Sequence, residues 1–191
     1  MKKFELTSEF ITNIFGTKLF RIKALISFGN VSEGDFGGYI EKEENLSHYG
    51  DAWVYDDAEV SGDARVSGDA RVFGNARVFG DAWVYGDAWV YGNARVFGDA
   101  QVSGDAWVSG NAQVSGNKDY SCVNGFGRIG RNTTFFRTKD GKITVSCGCF
   151  TGTIAEFRDK VKETHKDTKL AKEYLMLADL MEYHFSKEDK S

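Results

Sequence analysis

Gly50-Asp51-Ala52-Trp53-Val54-Tyr55 opens, and Gly110-Asn111-Ala112-Gln113-Val114-Ser115 closes, a run of eleven consecutive six-residue units on one template. The template is Gly, then Asp or Asn, Ala, a variable residue, Val, and finally Ser, Phe or Tyr; only Asp56 replaces a Gly. A fixed short period of this kind marks a stacked repeat, in which each unit buries its apolar face against its neighbours. Ala and Val stand two apart, so in an extended segment both point inward. The variable residue and the terminal Ser, Phe or Tyr then point outward, and the Gly-Asp or Gly-Asn pair makes a corner.

Asn takes the place of Asp at 75, 93 and 111, a spacing of eighteen. A three-sided coil of eighteen residues sets Asn75, Asn93 and Asn111 above one another, in the stacked side-chain ladder that suits Asn in cross-β geometry. A two-sided coil would scatter them. The sequence therefore predicts a mainly β fold, a triangular solenoid with a thin Ala and Val core. At ~4.8 Å between stacked strands, its eleven units rise roughly 17 Å.

The Ala-x-Val units resemble the left-handed β-helix of hexapeptide-repeat proteins, a class best known for acyltransferases. In that family a small residue often follows the aliphatic one, whereas here Ser, Phe or Tyr does. The stretch Gly37-Gly38-Tyr39-Ile40-Glu41-Lys42-Glu43-Glu44-Asn45-Leu46-Ser47 is similar to the opening module of hexapeptide proteins from bacteria and their phages and prophages, some of which carry a transferase label. Thr133-Thr134-Phe135-Phe136, Cys147-Gly148-Cys149-Phe150-Thr151-Gly152-Thr153, Glu156-Phe157 and Lys172-Glu173-Tyr174 resemble a C-terminal module of phage-associated proteins. The resemblance implies a left-handed coil and a phage or prophage setting.

The chain of 191 residues has room for one or two small domains. It has no Pro, no apolar stretch of transmembrane length and no signal-peptide pattern after Met1-Lys2-Lys3-Phe4-Glu5, so the expectation is a cytoplasmic protein, in the host cytoplasm if phage encoded, with no membrane partner. Three Cys fit reduced thiols better than a disulfide framework. The net charge of −4 is uneven: residues 50–117 hold ten acidic residues against four Arg, while residues 118–191 hold fourteen basic against eleven acidic.

Three regions follow. Residues 1–49 alternate like strands over Lys18–Leu25 and are assigned as an N-terminal β cap whose last part already coils, because a solenoid end needs its open edge covered. Residues 50–117 form the solenoid. Residues 118–191 form a small α+β domain: a hairpin of Thr133–Arg137 and Ile143–Cys147 around Lys139-Asp140-Gly141-Lys142, then two helices. The first helix opens with a capping box at Thr153-Ile154-Ala155-Glu156 and runs to about His165. The second, from about Thr168 to Phe185, sets Leu170, Tyr174, Leu177 and Met181 on one face.

Few residues offer chemistry. Hexapeptide acyltransferases use a His in the coil and a loop that breaks the repeats, with acyl-coenzyme A between subunits; no unit here contains His, and nothing interrupts residues 50–115. No catalytic residue, metal ligand or cofactor is assigned. His48 falls at a Val-type inward position, where it reads as a packed edge residue or as a general base. Gly125-Phe126-Gly127-Arg128-Ile129-Gly130 matches Gly-x-Gly-x-x-Gly and resembles the NAD-binding opening of glyceraldehyde-3-phosphate dehydrogenases. That motif needs a following helix, whereas Asn132–Arg137 reads as a strand. Arg128, Arg131 and Arg137, with Lys139 and Lys142, make the segment basic. They form a candidate anion or nucleotide contact, or else a solvated hairpin. Cys122, Cys147 and Cys149 with His165 are weighed as a zinc set, although Cys-x-Cys is an unusual spacing.

The outward columns say more. Sorting units by side puts Trp53, Arg71, Trp89 and Trp107 in one column with Tyr55, Phe73 and Tyr91 beside it. Arg71 falls between Trp53 and Trp89 in a cation–π arrangement. Such a patch exceeds the few hundred Å² that a soluble monomer usually exposes, so these seven residues are predicted to form an interface. The leading reading is a non-enzymatic oligomeric scaffold, a dimer or trimer that binds a host protein through its solenoid faces and C-terminal domain. An acyl-CoA-dependent acyltransferase, and a phage counter-defence inhibitor acting as a DNA mimic or nucleotide sink, are the alternatives.

Overall fold

The computed structural model describes residues 2–127 and 130–186. Its centre is a three-sided β-solenoid of eleven two-residue strands. The first side carries β5 (Glu59–Val60), β8 (Arg77–Val78), β11 (Arg95–Val96) and β14 (Gln113–Val114); the second carries β4 (Trp53–Val54), β7 (Arg71–Val72), β10 (Trp89–Val90) and β13 (Trp107–Val108). The third side holds β6 (Arg65–Val66), β9 (Trp83–Val84) and β12 (Gln101–Val102). Strands on a side pair in parallel at the eighteen-residue register, as in Trp89 with Arg71 and with Trp107.

The template explains the coil. Every Ala from Ala52 to Ala112 and every Val from Val54 to Val114 in the units is buried, and together they form one continuous core. Each corner Gly takes a left-handed conformation; Gly92, at φ 71°, is representative, and a β-carbon there would stand 3.1 Å from the Gly110 nitrogen one coil on. Asp56 reaches φ 52° in the same role, which Asp tolerates better than most residues.

Corner stacking differs from the expected Asn ladder. Asn75 and Asn93 donate backbone N–H groups to Gly92 O (2.9 Å) and Gly110 O (2.8 Å), and no side-chain hydrogen bond joins Asn75, Asn93 and Asn111 among the described residues. The backbone, not the amide side chain, carries the stacking.

N–H groups of each coil donate to carbonyls of the next, as Trp89 does to Ala106 (2.8 Å) and Tyr91 to Val108 (3.0 Å). Carbonyls are therefore left over at the N-terminal end and N–H groups at the C-terminal end. At the first end, β1 (Phe4–Thr12) and β2 (Lys18–Ala24) form an antiparallel hairpin, β2 pairs antiparallel with β3 (Phe36–Ile40), and β3 pairs in parallel with β5. The first side thereby becomes a seven-stranded sheet, and coiling has begun by Tyr39.

The first coil is longer than the rest. Ile40 aligns with Val60 and Leu46 with Val66, twenty residues apart, against eighteen from Trp53 to Arg71. The extra two residues lie in the corner after Leu46. Leu46, rather than His48, fills the inward position at the core.

Beyond the solenoid, the predicted hairpin proves to be the middle of a four-stranded antiparallel sheet: β15 (Tyr120–Phe126), β16 (Arg131–Arg137), β17 (Ile143–Cys147) and β18 (Phe150–Thr153), in that order. One face meets the solenoid end, where Phe136 joins the Ala and Val core and Tyr120 and Cys122 pack beside it. The other face, with Phe135 and Val145, meets α1 (Ile154–His165) and α2 (Lys169–His184) through Phe157, Val161, Tyr174, Leu177 and Met181. Leu170 is only half-buried; Ala171 takes the place expected for it. The Thr153 hydroxyl accepts the Glu156 N–H, and the Glu156 carboxylate accepts the Thr153 N–H (2.7 Å), which is the expected capping box.

Candidate functional site

The second side of the solenoid gathers the aromatic residues as their spacing requires. Trp89 and Trp107 stack with centroids 5.1 Å apart and planes 10° from parallel; Phe73 and Tyr91 stack at 4.9 Å and 2°. Phe73 also meets Trp89 edge-on at 5.9 Å. The Arg71 guanidinium lies 5.2 Å from the Trp89 ring centre. Strand spacing near 4.8 Å sets identical columns at stacking distance. All five side chains are half-buried, so the rings hold one another in place while still facing outward.

Trp53 departs from this row. It is 1% exposed, covered by Phe28 (5.3 Å) and Phe4 (6.2 Å) of the cap. The hairpin that closes the solenoid folds over it, and so Trp53 is core rather than surface. Tyr55 is half-buried, packs against the same core, and has its hydroxyl pKa raised by burial.

His48 belongs to the cap as well. Its Nδ1 accepts the Lys3 N–H (3.2 Å), its ring stacks on Phe4 (4.4 Å), and its Nε2 lies 3.6 Å from Glu43 Oε2. Glu43 is itself held below the usual carboxylate range, chiefly by the hydrogen bond from Lys2. With Nδ1 engaged by backbone, His48 serves as a structural pin. Lys3 is only 2% exposed, and its ammonium donates to the leftover carbonyls of Ala52 (2.9 Å) and Gly50 (3.1 Å). Asn45 does the same for Ala64 (2.8 Å) and Gly62 (3.0 Å). Neither role showed in the sequence, because both residues lie outside the repeat.

The basic segment divides. Arg128 lies outside the described residues. Arg137 is committed internally: it donates to the Phe185 carbonyl (2.8 Å), pairs with Asp119 (3.4 Å) and covers the Phe185 ring (5.5 Å), which ties the sheet to the end of α2. That use removes it from an anion site. Arg131 is exposed and makes no ion pair among the described residues. The Gly-x-Gly-x-x-Gly segment links two antiparallel strands, so no helix N-terminus follows it. Cys122 pairs across the sheet with Thr134 and Cys147 with Thr133, which places the two thiols on opposite faces and rules out a shared metal ion.

Two further surfaces were not anticipated. Met176, Leu180 and Tyr183 form a largely exposed stripe along α2, opposite its buried face. The signal was present as apolar residues at i, i+4 and i+7 in addition to the buried set. On the third side, Tyr49 and Trp83 stand exposed around a groove of about 570 Å³ that Leu46, His48 and Arg65 also line.

Residues 70–86, 88–101 and 100–116 match the family model described as the YdcK beta solenoid repeat. No curated protein matches the chain. The match falls on the later coils and agrees with the repeat fold. No helix among the described residues is long and apolar enough to cross a membrane.

Proposed function

We propose that the protein is a non-enzymatic scaffold that associates with further copies of itself, as a dimer or trimer, and binds a protein partner. The observation that carries this reading is the pre-stacked row of Phe73, Trp89, Tyr91 and Trp107 with Arg71 on one flat side. Rings already fixed by their neighbours lose little side-chain freedom on docking, which is the main cost such residues pay at an interface. Aromatic residues and Arg are also the types that dominate interface energetics. The stripe of Met176, Leu180 and Tyr183 gives the C-terminal domain a second contact surface. The phage or prophage setting, a host partner and a cytoplasmic location rest on sequence resemblance and composition.

The test is the mass of the purified chain and of its Trp89→Ser/Tyr91→Ser variant by native mass spectrometry, with circular dichroism confirming that the coil is retained. The wild-type chain is expected as a dimer or trimer and the variant as a monomer. Equal masses for both would remove the aromatic side as the self-association surface.

A further inference from the structure

The aromatic row ends at a cavity. Trp107 is its last ring, and between Trp107 and the solenoid-facing surface of the C-terminal sheet lies a space of about 300 Å³ lined also by Arg131, Asn132, Thr134, Ser146 and Gly148.

Three polar groups here lack a partner. Ser146 is 3% exposed, and its hydroxyl is the buried side-chain polar atom left without a hydrogen bond among the described residues. A buried hydroxyl in that state is costly, and because its oxygen has almost no accessible surface it sits behind the cavity wall rather than open to it. Its neighbour across the sheet, Thr134, is already engaged, accepting the Trp107 N–H at 3.0 Å. Asn132 shares the face of Thr134 and makes no side-chain hydrogen bond among the described residues. The Arg131 guanidinium lies against Gly148 in space that a β-carbon would fill, so that Gly lets the cation rest at the cavity rim.

The geometry points to a binding site for a mononucleotide. The base continues the Trp89–Trp107 stack, Asn132 hydrogen-bonds its edge or the sugar, and Arg131 pairs with the phosphate. Base-on-ring stacking and a guanidinium on phosphate are the usual carriers of such binding. A volume near the lower end of ligand pockets, roughly 300–1,000 Å³, fits one nucleotide and not a dinucleotide. The site stands apart from the scaffold reading, since it needs no second copy.

Isothermal titration of the full chain with AMP, UMP, adenosine and inorganic phosphate tests it. AMP or UMP is expected to bind, adenosine more weakly, and phosphate weakest. Arg131→Gln is expected to weaken nucleotide binding by about tenfold, the scale of one charge-assisted hydrogen bond. Asn132→Ala is expected to weaken it about threefold to tenfold while leaving the melting temperature unchanged, since that side chain lines the cavity and makes no hydrogen bond among the described residues. A merely structural amide would lower that temperature instead. Absence of heat with both nucleotides at millimolar concentration would overturn the assignment, as would phosphate binding as tightly as AMP or full affinity retained in both variants.

Discussion

Replacing Lys3 by Met keeps most of the stem and removes the ammonium that closes the N-terminal end of the solenoid. Two carbonyls, Gly50 O and Ala52 O, lose their donor. An orphaned buried acceptor costs about 1–3 kcal/mol, and relief of the buried charge offsets part of that loss. The net effect at pH 7 is expected to be a destabilisation of about 1–3 kcal/mol.

The pH dependence is more diagnostic. Burial pushes the Lys3 pKa down from 10.5 to about 8, against a smaller upward pull from Asp51 and Asp69. Below pH 8 both folded and unfolded chains hold the proton. Between pH 8 and 10.5 the unfolded chain holds it and the folded chain has released it, so stability rises with pH across that window. Lys3→Met lacks this gain, and its deficit relative to wild type should widen by about 2 kcal/mol between pH 7 and pH 9.5. Tyr39, Tyr55 and Cys122, all raised by burial, pull stability the other way in alkali but cancel in the difference. Urea unfolding followed by tryptophan fluorescence reads it, with Trp53 beneath the cap as reporter. A gap that stays constant or narrows by pH 9.5 would refute a depressed Lys3 pKa.

Gly92→Ala is expected to destabilise more than Gly104→Ala. Both force a β-carbon into left-handed backbone at about 1–2 kcal/mol, yet only at Gly92 does that carbon also crowd the next coil, since nothing lies within 4 Å at Gly104. Paired thermal melts give the order, and equal losses would place the whole cost in the backbone. Thr134→Val removes the acceptor of the Trp107 N–H and should cost about 1–3 kcal/mol; it should also speed hydrogen exchange at the Trp107 amide, while an unchanged exchange rate would show that the contact does not hold the sheet to the solenoid.

The solenoid was legible because its information is periodic: inward Ala and Val, corner Gly, and a register spelled out by Asn75, Asn93 and Asn111. What escaped the sequence lay where the period fails. Ser47-His48-Tyr49-Gly50 continues the template's rhythm, so the two added residues that hand the inward position to Leu46 left no mark. Trp53 obeys its column perfectly and is buried only because an aperiodic hairpin folds across it. In the C-terminal domain, β16, β17 and both helices carry strong patterns of β-branched residues and caps. β15 and β18 contain Gly125 and Gly152, which weaken a strand signal, and their pairing depends on neighbours distant in sequence. Arg137 and Arg131 look alike in composition; only Phe185 and Asp119, brought close by folding, separate the clamp from the available cation.

The two ends of the solenoid bear on how copies could meet. A stack of parallel coils is an invitation to coaxial growth, because each end presents a row of unpaired backbone groups. Here the N-terminal carbonyls are taken by the side chains of Lys3 and Asn45 and by the backbone N–H groups of Tyr39, Glu41 and Ser47. At the other end the leftover N–H groups of Gln101, Ser103, Trp107 and Ser115 meet Asn117, Tyr120, Thr134 and Asp119, at 2.9, 3.3, 3.0 and 2.9 Å. Side chains satisfy these groups without creating a new edge, and on the first side β2 and β1 carry the sheet on antiparallel, so the edge left there is that of β1 and not of a coil. Coaxial stacking would therefore have to break both caps and gain nothing beyond replacing the bonds it lost. The remaining surfaces are lateral, and the aromatic side is the one whose rings are already ordered. Proposed self-association thus runs side by side and closes at a small number of copies, which is why mass, rather than fibre formation, is the quantity that Trp89→Ser/Tyr91→Ser should change.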